Sequence, residues 1–245
     1  MFNFKMCLLP AALFFVCCTP PATKQSTEQQ NAQQKDTVYT YKKATINGIG
    51  KVYKGREIAQ VMGFSGAGWL ERDSRNQEEN VQLAVKNLPV NKNSTVADIG
   101  AGTGFYTFRI APKVSKVYAI ELQDEALDYL KQRSKTLKQT NVEVVKGMEK
   151  APNLPNSSID LALMVDVYHE LEFPHEYLQA LYKSLKPGGK VVLLEYKGED
   201  PNVPIKELHK TTVVQISKEL TANGFTYVED KSGLPMQHFL VYQKK

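Results

Sequence analysis

From residue 94 onward the chain alternates between two apolar patterns. Short runs of apolar and β-branched residues at 95–100, 117–122, 142–147, 159–166 and 190–196 read as strands. Between them lie stretches whose apolar positions recur three or four apart. The spacing predicts helices over 104–112, 124–137, 169–186 and 206–223, with Leu127, Leu130 and Leu137 on one stripe of the second. Pro187-Gly188-Gly189 stops the third, and Gly224 is placed to end the fourth. The run 159–166 is almost unbroken apolar sequence, as a central strand covered on both faces should be. Two last strands, 225–229 and 237–242, follow with no helix between them, which predicts a hairpin. The pattern predicts an α/β fold: a doubly wound, seven-stranded, mostly parallel sheet with an antiparallel last strand.

Ahead of this region, a helix is expected over 77–88 with Val81, Ala84, Val85 and Leu88 on one face. The glycine-rich stretch Gly63–Arg72 has two readings. Trp69 anchors the N-terminal helix on the core, or the segment is a lid with glycine hinges over a ligand pocket. Residues 22–37 are too polar to bury a core, and 38–55 say little beyond a short strand or loop. The expected organisation is a leader at 1–18, a disordered spacer at 19–55, a helical segment or lid at 56–93 and the α/β domain at 94–245.

The leader has Lys5, an apolar run from Met6 to Val16, then Cys17-Cys18 and a Gln/Ser/Thr-rich tract. The run has the length of a signal core and is too short to span a bilayer. It resembles a bacterial lipoprotein signal, with Phe15 and Val16 standing where Leu and a small residue are usual. That resemblance implies export and membrane attachment through a lipidated Cys18; an unused signal would leave the protein in the cytoplasm. All three cysteines (Cys7, Cys17, Cys18) lie here, so the folded part has neither disulfides nor thiolate metal sites. The net charge of +5 also belongs to this end. Residues 1–55 carry seven Lys/Arg and two acids, and 56–245 carry 24 of each. A neutral domain argues against a nucleic-acid partner.

The strand at 95–100 runs into Asp98-Ile99-Gly100-Ala101-Gly102-Thr103-Gly104. Ligands of open α/β sheets bind at the carboxyl ends of the strands, beside such a loop. The spacing is G-x-G-x-G, not the dinucleotide G-x-G-x-x-G, and the Gly-Lys-Ser/Thr of a phosphate loop is missing. The stretch resembles motif I, D-x-G-x-G-x-G, of the class I S-adenosylmethionine-dependent methyltransferases. The likeness covers about 77–245 and includes Glu121 at the end of the second strand and the Lys186-Pro187-Gly188-Gly189 turn.

Membership would imply a Rossmann-like sheet with S-adenosylmethionine as cofactor, held by Asp98, Gly100, Ala101, Gly102, Thr103 and Gly104. Glu121 would accept hydrogen bonds from the ribose hydroxyls, a device dehydrogenases share. Met148 stands where the family often has an acid, and would either pack on the adenine or leave Glu149 to turn in. Asp166 leaves the central strand beside the donor methyl and would hold the methionine part. His169 is either a general base or a helix-start residue making a local bond. No metal site is expected, since the neighbours Asp166, His169 and Glu170 have no ligand spacing.

A sulfonium already activates its methyl group, so alignment supplies much of the rate, and a base is needed only if the acceptor must lose a proton. The expected activity is methyl transfer to a small-molecule acceptor. Two alternatives stand beside it. One is an exported protein that keeps the fold but only binds a small ligand, suggested because the donor is made in the cytoplasm. The other is a nicotinamide dehydrogenase, disfavoured by the loop spacing and the closing hairpin.

Overall fold

The computed structural model describes residues 1–2 and 38–245, so the expectations for the leader and for the spacer up to residue 37 lie outside the described residues. The strands are β1 (Tyr39–Tyr41), β2 (Gly48–Tyr53), β3 (Arg56–Ala59), β4 (Thr95–Ile99), β5 (Lys116–Glu121), β6 (Val142–Lys146), β7 (Ile159–Val165), β8 (Leu185–Tyr196), β9 (Phe225–Asp230) and β10 (Gln237–Lys244). The helices are α1 (Arg75–Glu79), α2 (Val81–Asn87), α3 (Thr107–Ile110), α4 (Asp124–Thr136), α5 (Pro174–Ser184) and α6 (Val213–Thr221).

Seven strands form one sheet in the order β6-β5-β4-β7-β8-β10-β9. The pairings among β6, β5, β4, β7 and β8 are parallel, and β10 runs antiparallel to both neighbours. The antiparallel strand is therefore last in the chain but sixth across the sheet. Because side chains alternate along a strand, β7 feeds both covering layers. Leu161 and Leu163 pack with Val81, Ala84, Val85 and Leu88 on one face. Ala162 and Met164 pack with Leu178, Leu181, Ile216 and Leu220 on the other. This two-sided burial is what the continuous apolar run encodes.

The order of the sheet puts β4 and β7 side by side at its centre. Successive connections leave β4 in opposite directions across the sheet, to β5 on one side and eventually to β7 on the other. The loops after β4, β5 and β7 therefore meet at one place on the carboxyl edge.

Several boundaries differ from the sequence expectation. Residues 39–59 are not spacer but a three-stranded antiparallel sheet, with Tyr39, Tyr53 and Ile58 in its own small core. Its second turn is Lys54-Gly55, both at positive φ, a hairpin geometry that Asn-Gly would have announced more plainly. The expected helix over 77–88 breaks at Asn80, whose φ of 50° is left-handed and whose side chain caps α2 by accepting from the Leu83 amide. The third helix begins only at Pro174, a residue suited to the first turn, after a single 3-10 turn at Tyr168–Glu170. The fourth begins at Val213, behind the Thr212 cap. Strand β8 includes the Pro-Gly-Gly stretch as an irregularity in its pairing with β7. Leu137 lies past the end of α4 and is exposed, so the buried stripe there is Ala126, Leu127 and Leu130.

Candidate functional site

The loop after β4 is built from left-handed glycines: φ is 66° at Gly100, 55° at Gly102 and 78° at Gly104. An L side chain would be strained at each, and close neighbours make the requirement sharper. A Cβ on Gly100 would stand 2.5 Å from Cγ2 of Val167, and one on Gly102 would stand 2.9 Å from Cδ1 of Leu70. Gly104 lies against Phe108 and Leu130. Ala101 and Thr103 are buried between them.

Asp98, on β4, is buried and accepts from the Thr107 hydroxyl at 2.5 Å, which ties the strand to the first turn of α3. Burial pushes its carboxyl up to about 6, against the lowering effect of the two Thr107 hydrogen bonds. Glu121 sits at the end of β5, almost fully buried. Its Oε2 accepts from the Gly102 amide at 2.9 Å, and its Oε1 accepts from the amides of Leu122 at 2.6 Å and Gln123 at 3.1 Å. A carboxylate has about four acceptor sites. With three of them taken, one is left for a ligand hydroxyl unless the Gly102 amide is released.

Asp166 follows β7 with a left-handed φ of 54°, an uncommon conformation for a residue other than glycine. Both its oxygens lie 2.9 Å from Nε2 of Gln237 on β10. Burial, together with the nearby carboxylates of Glu79 and Glu195, pushes the Asp166 carboxyl well above the usual range. Two buried polar atoms near it have no hydrogen-bond partner: Oε1 of Gln237 and the hydroxyl of Tyr106. Glu79 closes this polar pocket, accepting from Arg75 at 2.8 Å, Arg72 at 2.7 Å and the Tyr196 hydroxyl at 2.9 Å.

His169 is buried in the 3-10 turn after β7. Its Nδ1 lies 2.6 Å from Oε2 of Glu195, and its Nε2 lies 3.1 Å from Nδ1 of His209. Both ring nitrogens are thus engaged inside the protein. Met148 follows β6, more than half exposed, in a tight backbone bridge with Ala151.

The stretch Gly63–Arg72 is mostly a 3-10 helix, Phe64–Glu71. Its start is held by Gln123, which accepts from the Phe64 amide at 2.8 Å and donates to the Met62 carbonyl at 3.1 Å. At its far end Glu71 pairs with Arg133, which also donates to the Thr103 carbonyl at 2.9 Å. Leu70 between them lies over Gly102. The segment thus bridges the glycine loop and the residues flanking β5 and α4. Trp69 stands outside, 44% exposed, with the Arg72 guanidinium 3.6 Å over its ring and Tyr196 edge-on at 6.3 Å. Trp69 therefore does not anchor a helix on the core as one reading expected; the segment is held by Gln123, Arg133 and Leu70 instead.

Sequence reasoning found the glycine loop, Asp98, Glu121, Asp166 and His169, and the fold brings all of them to the carboxyl edge of β4, β5 and β7. It missed Leu70, Arg75, Glu79, Glu195, His209 and Gln237. Glu195 and Tyr196 had a usable signal, since they end a predicted parallel strand. His209 had none, because it lies in an irregular stretch 40 residues from its partner.

Residues 97–193 match the family described as a methyltransferase domain. A solved S-adenosylmethionine-dependent methyltransferase from Aquifex aeolicus superposes with a TM-score of 0.69 at 26% identity, covering 75% of this chain and 98% of that one. Among curated proteins, the demethylmenaquinone methyltransferase of Protochlamydia amoebophila is 29% identical over 156 residues, 60% of this chain and 64% of its own length. The tRNA U34 carboxymethyltransferase of Desulfotalea psychrophila is 31% identical over 119 residues, 47% of this chain and 37% of its own length. The chain therefore spans less than two thirds of either curated relative. The [4+2]-cyclase SpnF, at 15% identity and a TM-score of 0.59, shares the fold alone.

Proposed function

We propose that this chain, which carries a methyltransferase domain of Rossmann-like fold, transfers a methyl group from S-adenosylmethionine to a small-molecule acceptor. One observation carries the reading. The left-handed loop Gly100–Gly104 is tied through the Gly102 amide to the strand-end carboxylate of Glu121. Bare glycine backbone and a strand-end acid fit an adenosine, and the unpaired Gln237 Oε1 and Tyr106 hydroxyl fit the zwitterionic amino-acid end. A zwitterion offers the donor and the acceptor that these two atoms lack.

When bound, the donor supplies a methyl group already activated by its sulfonium. The chain's part is to bind, align and exclude water. Glu121 would hold the ribose, and the glycine-loop backbone with Asp98 would hold the rest of the donor, with Leu70 giving way above Gly102. The 62–71 segment, which bridges the glycine loop and the start of α4, would lie beside the bound donor. Asp166, turned to Gln237 at the exit of β7, would hold the donor's methionine part or take a proton from an acceptor that must lose one. His169 has no free nitrogen for that role.

The small-molecule class rests on the charge of the described residues 38–245, 28 Lys/Arg against 24 Asp/Glu, a modest excess beside the strongly basic balance usual for a nucleic-acid-binding domain. The test is labelled-methyl transfer by the full chain into two fractions of source-cell extract, metabolites and RNA. Label in the metabolites supports the reading, and label in RNA overturns the acceptor class. The leader favours a second reading, an exported protein that binds the donor or a similar ligand without turnover. Donor binding with no transfer into any fraction would select it.

A further inference from the structure

We propose that His169, Glu170 and His209 form a binding site for a divalent transition-metal ion of the zinc class, with one coordination position left open. The inference does not depend on the methyl-transfer reading. Among the described residues these three side chains bring one ligand atom each to a common point. His169 Nε2 and His209 Nδ1 are 3.1 Å apart, His209 Nδ1 and Glu170 Oε1 are 3.3 Å apart, and His169 Nε2 and Glu170 Oε1 are 3.8 Å apart. Tetrahedral coordination with metal–ligand bonds near 2.0–2.1 Å sets neighbouring ligand atoms about 3.3–3.4 Å apart. Two sides of the triangle are close to that size, and the third, His169 Nε2 to Glu170 Oε1, must close by a few tenths of an ångström.

The protonation pattern points the same way. The Glu195 carboxylate accepts from the amides of Val167 at 3.1 Å and Tyr168 at 2.8 Å, and from Nδ1 of His169 at 2.6 Å. A proton on Nδ1 leaves the lone pair of a neutral His169 ring on Nε2, aimed at His209. One N–H on His209 Nδ1 then faces two acceptors, His169 Nε2 and Glu170 Oε1. A cation in place of that single proton would satisfy all three groups.

The surroundings are those of a built site. A carboxylate behind a ligating histidine fixes the ring and raises its basicity, and Glu195, fully buried, does this for His169. The Met62 amide donates to Glu170 Oε1 at 3.2 Å and orients the carboxylate. Charge also favours a dication. The nearest buried cation, Arg56, is already matched by Glu219 through two hydrogen bonds of 2.8 and 2.9 Å. Glu170 and Glu195 are left facing the two imidazoles. Two imidazoles and one carboxylate suit zinc and its neighbours better than magnesium or calcium. The third ligand is His209, from a distant turn, and not Asp166, which is turned to Gln237. That is why the local spacing of 166–170 gave no sign of it.

The test uses the full chain carrying Cys7→Ser, Cys17→Ser and Cys18→Ser, so that no thiolate competes. The protein is stripped with a chelator and titrated with cobalt(II), followed by its visible d–d absorption, and with zinc by calorimetry. One equivalent should bind, with the intense bands of low-coordinate cobalt. Glu170→Gln and His209→Ala should each abolish stoichiometric binding. Glu195→Gln should weaken it by about 10–100-fold, as loss of an outer partner does. His175→Ala and His238→Ala, the other two histidines, should leave it unchanged. Glu170→Gln is nearly isosteric and keeps the test decisive if His209→Ala fails to fold. Failure of the parent to bind zinc in the micromolar range, or unchanged binding in Glu170→Gln, overturns the proposal.

Discussion

The amide of Gly102 donates to Oε2 of Glu121 at 2.9 Å, joining the loop after β4 to the end of the neighbouring strand β5. The loop shape and the acid are therefore one unit. Glutamine at 121 keeps the volume but turns an NH2 toward backbone donors on one side or the other. Glu121→Gln should cost about 1–3 kcal/mol of stability, the range for spoiling hydrogen bonds to a charged group. It should also weaken donor binding. Thermal unfolding and calorimetry check the pair, and a variant equal to the parent in both removes Glu121 from the site.

Leu70 occupies the room above Gly102, which the proposed donor would need. Leu70→Ala should tighten donor binding, because less must be displaced. Gly102→Val should abolish binding, since its Cβ lands 2.9 Å from Leu70 Cδ1 and its backbone stays left-handed. Far-UV circular dichroism should show Gly102→Val still folded. Weaker binding in Leu70→Ala would mean that Leu70 grips the donor and is not in its place.

Asp98 gives a pH dependence with a defined sign. Its carboxyl rises from 3.8 to about 6 on folding, so between those values the native state holds more proton than the unfolded chain. Stability therefore falls as pH rises from about 4 to 6, by about 3 kcal/mol for this group. Asp98→Asn keeps an acceptor for the Thr107 hydroxyl and has no charge to desolvate. Relative to the parent, the variant should gain stability between pH 4 and pH 7 in urea titrations. A constant difference across that range contradicts the assignment.

The parts legible in the sequence were those with strong periodicity. The buried run 159–165 could only be a central strand, and the glycine spacing after β4 could only be a loop of left-handed residues. Less legible were features decided by a few tertiary contacts. The 39–59 sheet has short strands and no long apolar run, and its place follows from Arg56 reaching Glu219 and from Tyr39 bonding Glu176. Asn80 splits a helix that the 81–88 pattern alone extends backwards, because its amide side chain caps the next turn better than it continues the last. His209 and Gln237 enter the site from irregular or edge positions, where side-chain pattern carries no directional information.

Arg56 is the bolt between that small sheet and the main one. It is buried, pairs with Glu219 through Nε and Nη2, and donates to the His169 carbonyl at 3.0 Å. Glu219 also accepts from the Tyr168 hydroxyl at 2.7 Å. Removing one partner of a buried ion pair strands the other charge, at about 3–5 kcal/mol. Arg56→Ala should lose that amount in denaturant unfolding, and Arg56→Met paired with Glu219→Leu should recover part of it. A loss under 1 kcal/mol for Arg56→Ala, the scale of an exposed pair, would show that the 39–59 sheet is not fastened there.

Reading residues 1–18 as an export leader makes the place where the protein acts testable. The apolar run from Met6 to Val16, the Cys17-Cys18 pair and the polar tract after them motivate the hypothesis of export with acylation at Cys18. A single acyl chain binds a bilayer only marginally, so stable attachment needs more than one chain on that residue. Residues 56–245 carry no net charge, while 19–55, next to the anchor, carry six lysines and two acids. Attachment should therefore require the lipid, with the lysines of 19–55 adding to it on an anionic surface. Cys18→Ser should move the protein from the membrane fraction to the soluble one, and Cys17→Ser should leave it in the membrane. Mass spectrometry of the mature N-terminus should find a lipid-bearing Cys18 as the first residue. An intact Met1 in the cytosolic fraction would refute export and give the site direct access to its donor. An acylated chain outside the cell membrane would instead require donor supplied from elsewhere, and would shift weight toward binding without turnover.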